Sequence, residues 1–196
     1  MTDELYAPNV ALIVVDYQND FCTPEGSLYV AGADALLEPI NQEIERARRA
    51  SAKVVYTQDW HPEKTPHFQE MGGAWPPHCI AGSWGADLVP RLIKAGQTIH
   101  KGTGTGDGYS GFFDYDIETS TKKSTGLTEL LRSENINTVI IVGVATDYCV
   151  KHTAIDAVQE GFRVTVLTNC IRPVNIHPNN GELAIIEMKS YGVIFQ

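Results

Sequence analysis

The chain reads as an α/β protein, a doubly wound, mostly parallel sheet of about six strands with helices on both faces. Three observations predict this. Apolar β-like runs alternate with helical stretches along the whole chain. The strongest runs, ALIVV and TVIIVGV, are nearly continuous in hydrophobicity, as strands covered on both sheet faces must be. The intervening stretches carry apolar residues at helical spacing, such as Leu36, Leu37, Ile40, Ile44 and Ala47.

Taken in order, the first strand spans residues 10–16 and ends in Asp16, and a helix follows over 33–50. The second strand, 53–58, runs into Gln58-Asp59-Trp60-His61. Residues 60–85, rich in Pro, Gly, His and Trp, form the one long irregular stretch, and such loops inside a compact domain are usually functional. A third strand, 98–101, ends in His100-Lys101, and a helix is expected over 124–133. The fourth strand, 138–144, passes through Gly143 into a helix-like segment carrying Cys149, with a helix over 153–160. Strands at 163–168 and 193–195 complete the sheet. No repeat or low-complexity linker interrupts the pattern, and 196 residues, 43% of them hydrophobic, suit a single domain over 1–196.

A net charge of −9 argues against a nucleic-acid partner, because neutralising phosphates needs clustered Lys and Arg. The acidic, polar start and the lack of a run of about 20 apolar residues argue against a signal peptide or a membrane span. A soluble, cytoplasmic protein with a small-molecule partner is expected, and a homo-oligomer is left open. The four cysteines, Cys22, Cys79, Cys149 and Cys170, include no CxxC pair and read as reduced thiols.

In open α/β sheets the ligand crevice lies beyond the carboxyl ends of the strands, so strand-end residues report on the site. Asp16 alone reads equally well as a turn cap. Beside a thiol it can take the thiol proton and hand it to a leaving amine. Lys101 alone reads as a surface lysine, but near Cys149 its charge would stabilise a thiolate, as would the first turn of a helix opening at the cysteine. Asp16, Lys101 and Cys149 together make an activated nucleophile. Asp59 and His61, two residues apart, would project to one face of an extended chain. His78, stiffened by Pro76-Pro77, could add a third ligand, with His67 a weaker candidate for a fourth. One carboxylate with imidazoles suits a divalent transition metal held in a loop region at 59–85. Phe21, Trp75 and Tyr109 adjoin the strand ends and could wall a pocket.

Gly106-Asp107-Gly108-Tyr109-Ser110-Gly111 matches the dinucleotide fingerprint formally and follows a strand. Phe112-Phe113-Asp114-Tyr115-Asp116 beyond it has no helical periodicity, so a pyrophosphate would find no helix N-terminus. The glycines read instead as a tight loop passing close to the site.

Taken together, VDYQNDFC, TQDWHP, WPPHCIAG, HKG and GVATDYCV resemble the nicotinamidases of the isochorismatase-like cysteine hydrolases, and the strand pattern extends the likeness over nearly the whole chain. The resemblance implies a triad of Asp16, Lys101 and Cys149, and an oxyanion hole from the backbone N–H groups of Ala145 and Cys149. It implies a metal on Asp59, His61 and His78, zinc foremost with iron or manganese as alternatives, and a pocket including Phe21, Trp75 and Tyr109. It also implies a cis peptide between Val144 and Ala145. The activity implied is hydrolysis of nicotinamide, and of pyrazinamide, through a Cys149 thioester in NAD salvage. Three rivals share parts of the pattern: a hydrolase of carbamoyl compounds or isochorismate, a binding protein with a dead triad, and a nucleotide-dependent oxidoreductase resting on the glycine match alone.

Overall fold

The computed structural model describes residues 5–116, 119 and 121–196. Along the chain run β1 (Val10–Val15), α1 (Asn19–Cys22), α2 (Leu37–Arg49), β2 (Lys53–Asp59), β3 (Gln97–Lys101), β4 (Phe113–Asp116), β5 (Thr121–Ser124), α3 (Leu127–Ser133) and β6 (Thr138–Val144). A single π turn, Thr146–Val150, then leads into α4 (Lys151–Gln159), β7 (Arg163–Arg172), α5 (Asn180–Ser190) and β8 (Ile194–Phe195). Six strands form one parallel sheet in the order β3-β2-β1-β6-β7-β8, and β4 with β5 makes a separate antiparallel hairpin.

Strand alternation divides the core in two. Leu12, Val14, Val54, Tyr56, Ile140 and Val142 face one layer, completed by Leu36, Ile40, Ile44 and Ala47 around α2. Ala11, Ile13, Val15, Val55, Val139 and Ile141 face the other, against Leu131 of α3, Ala154 and Ala157 of α4 and Met188 of α5. Both faces of β1 are therefore buried, which is why its sequence is apolar without alternation. Each fully buried Val, Leu or Ile stabilises the fold by about 1.5–3 kcal/mol relative to exposure. In α2 the basic residues Arg46, Arg48 and Arg49 occupy the last turn and Glu38 the first, a distribution that suits the helix dipole.

The chain runs outward from β1 through β2 to β3, then crosses to β6 on the other side of β1. The strand order thus reverses between β1 and β6, the switch point at which open α/β sheets form their crevice. Val15 is in register with Thr57 on one side and Gly143 on the other, so the ends of β1, β2 and β6 lie together.

Several boundaries differ from the sequence reading. β1 stops at Val15 because Asp16 turns into a left-handed conformation, φ 48°. The helix expected from residue 124 starts at Leu127, since Ser124 closes the β4–β5 hairpin and Gly126 has φ 91°. β7 continues past residue 168 to Arg172, and α5 was not foreseen. The hairpin after the glycine run confirms that no helix opens on it. Among the described residues, no helix is long and apolar enough to cross a membrane.

Candidate active site

Lys101, at the end of β3, is wholly buried, and a buried ammonium needs compensating partners. It has four. Its Nζ lies 2.7 Å from Asp16 Oδ2, donates to Asp59 Oδ1, donates to the Gly108 carbonyl at 2.8 Å, and contacts Cys149 Sγ at 3.5 Å. Burial alone would lower the lysine pKa, but Asp16 and Asp59 outweigh it and hold the group charged. The structure thus brings Asp16, Lys101 and Cys149 together, with acceptor atoms of Asp16, Asp59 and Cys149 within 4.8 Å of one another.

Asp16 is equally buried. Burial lifts its carboxyl to about 6, against the opposing charge of Lys101. The Thr57 hydroxyl donates to its Oδ1 at 2.6 Å. Cys149 sits inside the π turn rather than at the opening of a helix, and burial pushes its thiol well above the usual range despite Lys101. Asp16 and Asp59 push in the same direction. Lys101 thus favours the thiolate as expected while burial opposes it, and Asp16 lies close enough to accept the thiol proton. The Val144–Ala145 peptide is cis, and the Ala145 carbonyl accepts from the Tyr148 and Val150 N–H groups, closing the turn that carries the cysteine.

A second cluster adjoins the first. His61, His67 and His78 are all buried and each offers a nitrogen within 4.8 Å of the others. Asp59 Oδ2 lies 3.6 Å from His61 Nε2 and 3.9 Å from His78 Nε2, too far for hydrogen bonds and suited to donors that share an ion. Burial pushes Asp59 upward, but Lys101 and the imidazoles prevail and hold it well below the carboxylate range. Burial likewise pushes His78 down to about 4, so its ring is neutral at pH 7. Its Nδ1 meets the Pro76 carbonyl at 2.8 Å, leaving Nε2 free. Among the described residues neither ring nitrogen of His61 has a hydrogen-bond partner, and a metal would satisfy one of these two buried polar atoms. The His61 ring lies against Gly102, where a Cβ would come within 2.5 Å of Cε1. The donors therefore fit a divalent cation.

One pocket joins the two clusters. Asp59, His67, His78, Ala145 and Cys149 line it together with the three aromatics expected from sequence, Phe21, Trp75 and Tyr109. The Trp75 indole N–H donates to the Tyr109 hydroxyl at 2.9 Å, and the Phe21 ring lies 5.4 Å from His78. Sequence reasoning missed Leu28, Val30, Tyr148 and Val174, which complete the wall. It also missed Gln18, whose amide donates to the carbonyls of Asp59 and Ala86 and accepts from the Asp59 N–H, fixing Asp59 at the end of β2. The Asp147 carboxylate similarly accepts from the Val174 and Asn175 N–H groups. Both residues sit inside the quoted motifs, two residues from Asp16 and from Cys149 respectively, and their proximity was the available signal.

Comparison with known proteins shows that this fold and pocket are those of a hydrolase that acts on amides. The chain belongs to the isochorismatase domain family, whose model matches residues 10–195. It is 36% identical to the nicotinamidase of Escherichia coli over 94% of this chain and 93% of that relative. Among solved structures it is similar to the L. infantum protein PnC1 in complex with nicotinate, with TM-score 0.89 and 38% identity over 97% of this chain and 94% of that one. It is similar also to the pyrazinamidase of Pyrococcus horikoshii in complex with zinc, with TM-score 0.85 and 38% identity over 96% and 99%.

Proposed function

We propose that this protein is a nicotinamidase, a single-domain cysteine amidohydrolase that converts nicotinamide to nicotinate and ammonia in NAD salvage, with pyrazinamide as a second substrate. The observation that carries the reading is the shared pocket, in which the Cys149 thiol faces the same apolar space as Asp59, His67 and His78. Nicotinamide carries its carboxamide carbon meta to the ring nitrogen on one flat ring, and the two adjoining clusters stand ready for these two groups. Among the described residues lining the pocket there is no Arg or Lys to pair with a substrate carboxylate, which favours a neutral amide over acidic ones.

Asp59, His61, His78 and His67 would hold one divalent metal, zinc by preference, the ion bound to the P. horikoshii relative. Bound there, the metal supplies a Lewis-acid position for the substrate's ring nitrogen. Cys149 Sγ attacks the carboxamide carbon as its proton passes to Asp16, and the oxyanion is received by the N–H groups of Ala145 and Cys149. Asp16 returns the proton to the departing nitrogen, so ammonia leaves and a thioester remains. Water then loses a proton to Asp16 and attacks the thioester carbon, nicotinate departs, and the proton restores the thiol. Lys101 offsets the negative charge that passes between sulfur and carboxylate.

The test is ammonia release from nicotinamide by the wild type beside Cys149→Ala at equal concentration, with metal content measured on both. Release by the wild type alone, at equal metal content, is expected. Silence from a folded, metal-loaded wild type would send the reading to another amide.

A further inference from the structure

The glycine-rich run that does not bind a dinucleotide carries one carboxylate that no step above uses. Asp107 Oδ1 lies 3.1 Å from His67 Nδ1. We propose that Asp107 is a positioning residue for the metal centre: its carboxylate accepts the Nδ1 proton of His67 and so commits Nε2 to the cluster with His61 and His78. The inference rests on the metal-binding reading above.

An imidazole has two neutral tautomers, and the partner of one nitrogen decides which nitrogen is left to ligate. His78 is settled by the Pro76 carbonyl, and His61 lies two residues beyond the end of β2 with its ring against Gly102. His67 has neither support. It lies in the irregular segment between β2 and β3, where no strand or long helix fixes its ring. Asp107 comes from a different segment that is anchored independently. The next residue, Gly108, accepts from Lys101 Nζ at 2.8 Å, and the Gly111 N–H donates to the Thr153 hydroxyl of α4 at 2.9 Å. A loop anchored on β3 and α4 thus holds a ligand from the 60–85 loop, and through Tyr109 it also supplies a wall of the substrate pocket. Asp107 remains substantially exposed, 43% at the side chain, so its substitution disturbs no core.

Two readouts test this, neither of them activity. The first is Zn2+ affinity, measured by competition with a chromophoric chelator; the second is the tautomer of His67 in metal-free protein, read by 15N-edited histidine NMR. Asp107→Ala should weaken Zn2+ binding about 10- to 100-fold and give His67 a mixture of tautomers. Asp107→Asn retains an acceptor oxygen and should fall between. In a His67→Ala background, adding Asp107→Ala should cost nothing more, because Asp107 acts only through that ring. Unchanged affinity in Asp107→Ala, or a full additional loss on top of His67→Ala, would overturn the proposal while leaving the metal site standing. A wild type that takes up no Zn2+ would overturn the metal reading itself and Asp107's role with it.

Discussion

A carboxyl lifted to about 6 is ionised at pH 7 yet basic enough to take a proton from sulfur, which is what Asp16 must do. The ionised form does the work, so kcat/KM should fall about tenfold for each pH unit below the acidic limb. That limb belongs to Asp16, whose titration the neighbouring charges of Lys101 and Asp59 both influence. The Thr57 hydroxyl, donating to Asp16 Oδ1, favours the ionised form and so lowers the carboxyl pKa. Thr57→Val removes that bond and should move the limb to higher pH. A pH–rate profile whose limb stays in place or moves the other way would exclude Thr57 from tuning the base. Asp16 and Cys149 were legible because each ends or follows an apolar run, and Lys101 because it ends a short β-like run, where α/β topology puts chemistry. Thr57 and Gln18 were not, because a buried polar side chain that supports another has no pattern of its own until β1 and β2 are laid side by side.

At the scale of elements, β1 and β6 must approach closely for Asp16 and the cysteine turn to meet. Gly143 permits it. Its φ is 114°, and a Cβ there would stand 2.1 Å from the Val15 carbonyl oxygen. The β6–β7 register also shifts between Ile141 and Gly143. Gly143→Ala adds a backbone clash to a conformation that L residues avoid, and should destabilise the fold by about 1–3 kcal/mol. The clash lies between the strand that leads to Asp16 and the strand that leads to Cys149, so turnover should fall further than stability alone explains. Thermal melting and ammonia release measured together check this; a variant with a lowered Tm and full activity in its folded fraction would show that the strand ends are less tightly coupled. The continuous runs made β1, β2 and β6 readable. The β4–β5 hairpin was not readable, because Thr121–Ser124 is exposed throughout and buries no alternating face. In α5 the exposed Leu183 and Ile186 blur the apolar stripe that would have marked a helix.

Across the whole molecule the two core layers are apolar and span the sheet, whereas the metal cluster sits at its carboxyl edge. Leu12, Val14, Ile13 and Val15 with their helix partners enclose the sheet through apolar contacts, and Asp59, His61, His67 and His78 gather at and beyond the end of β2. The sheet should therefore persist without metal, and the three imidazoles should be where stability depends on it. Binding that favours the native state contributes RT ln(1 + [L]/Kd), about 4 kcal/mol when free metal exceeds Kd a thousandfold. For a chain of this size each kcal/mol moves Tm by about 2–4 °C, so chelation should lower Tm by about 10 °C. Far-UV circular dichroism at 25 °C should be unchanged, ammonia release should cease, and both Tm and activity should return on adding Zn2+. Loss of secondary structure on chelation would instead make the metal part of the framework, and the loop over residues 60–85 would have to be counted with the core rather than with the site.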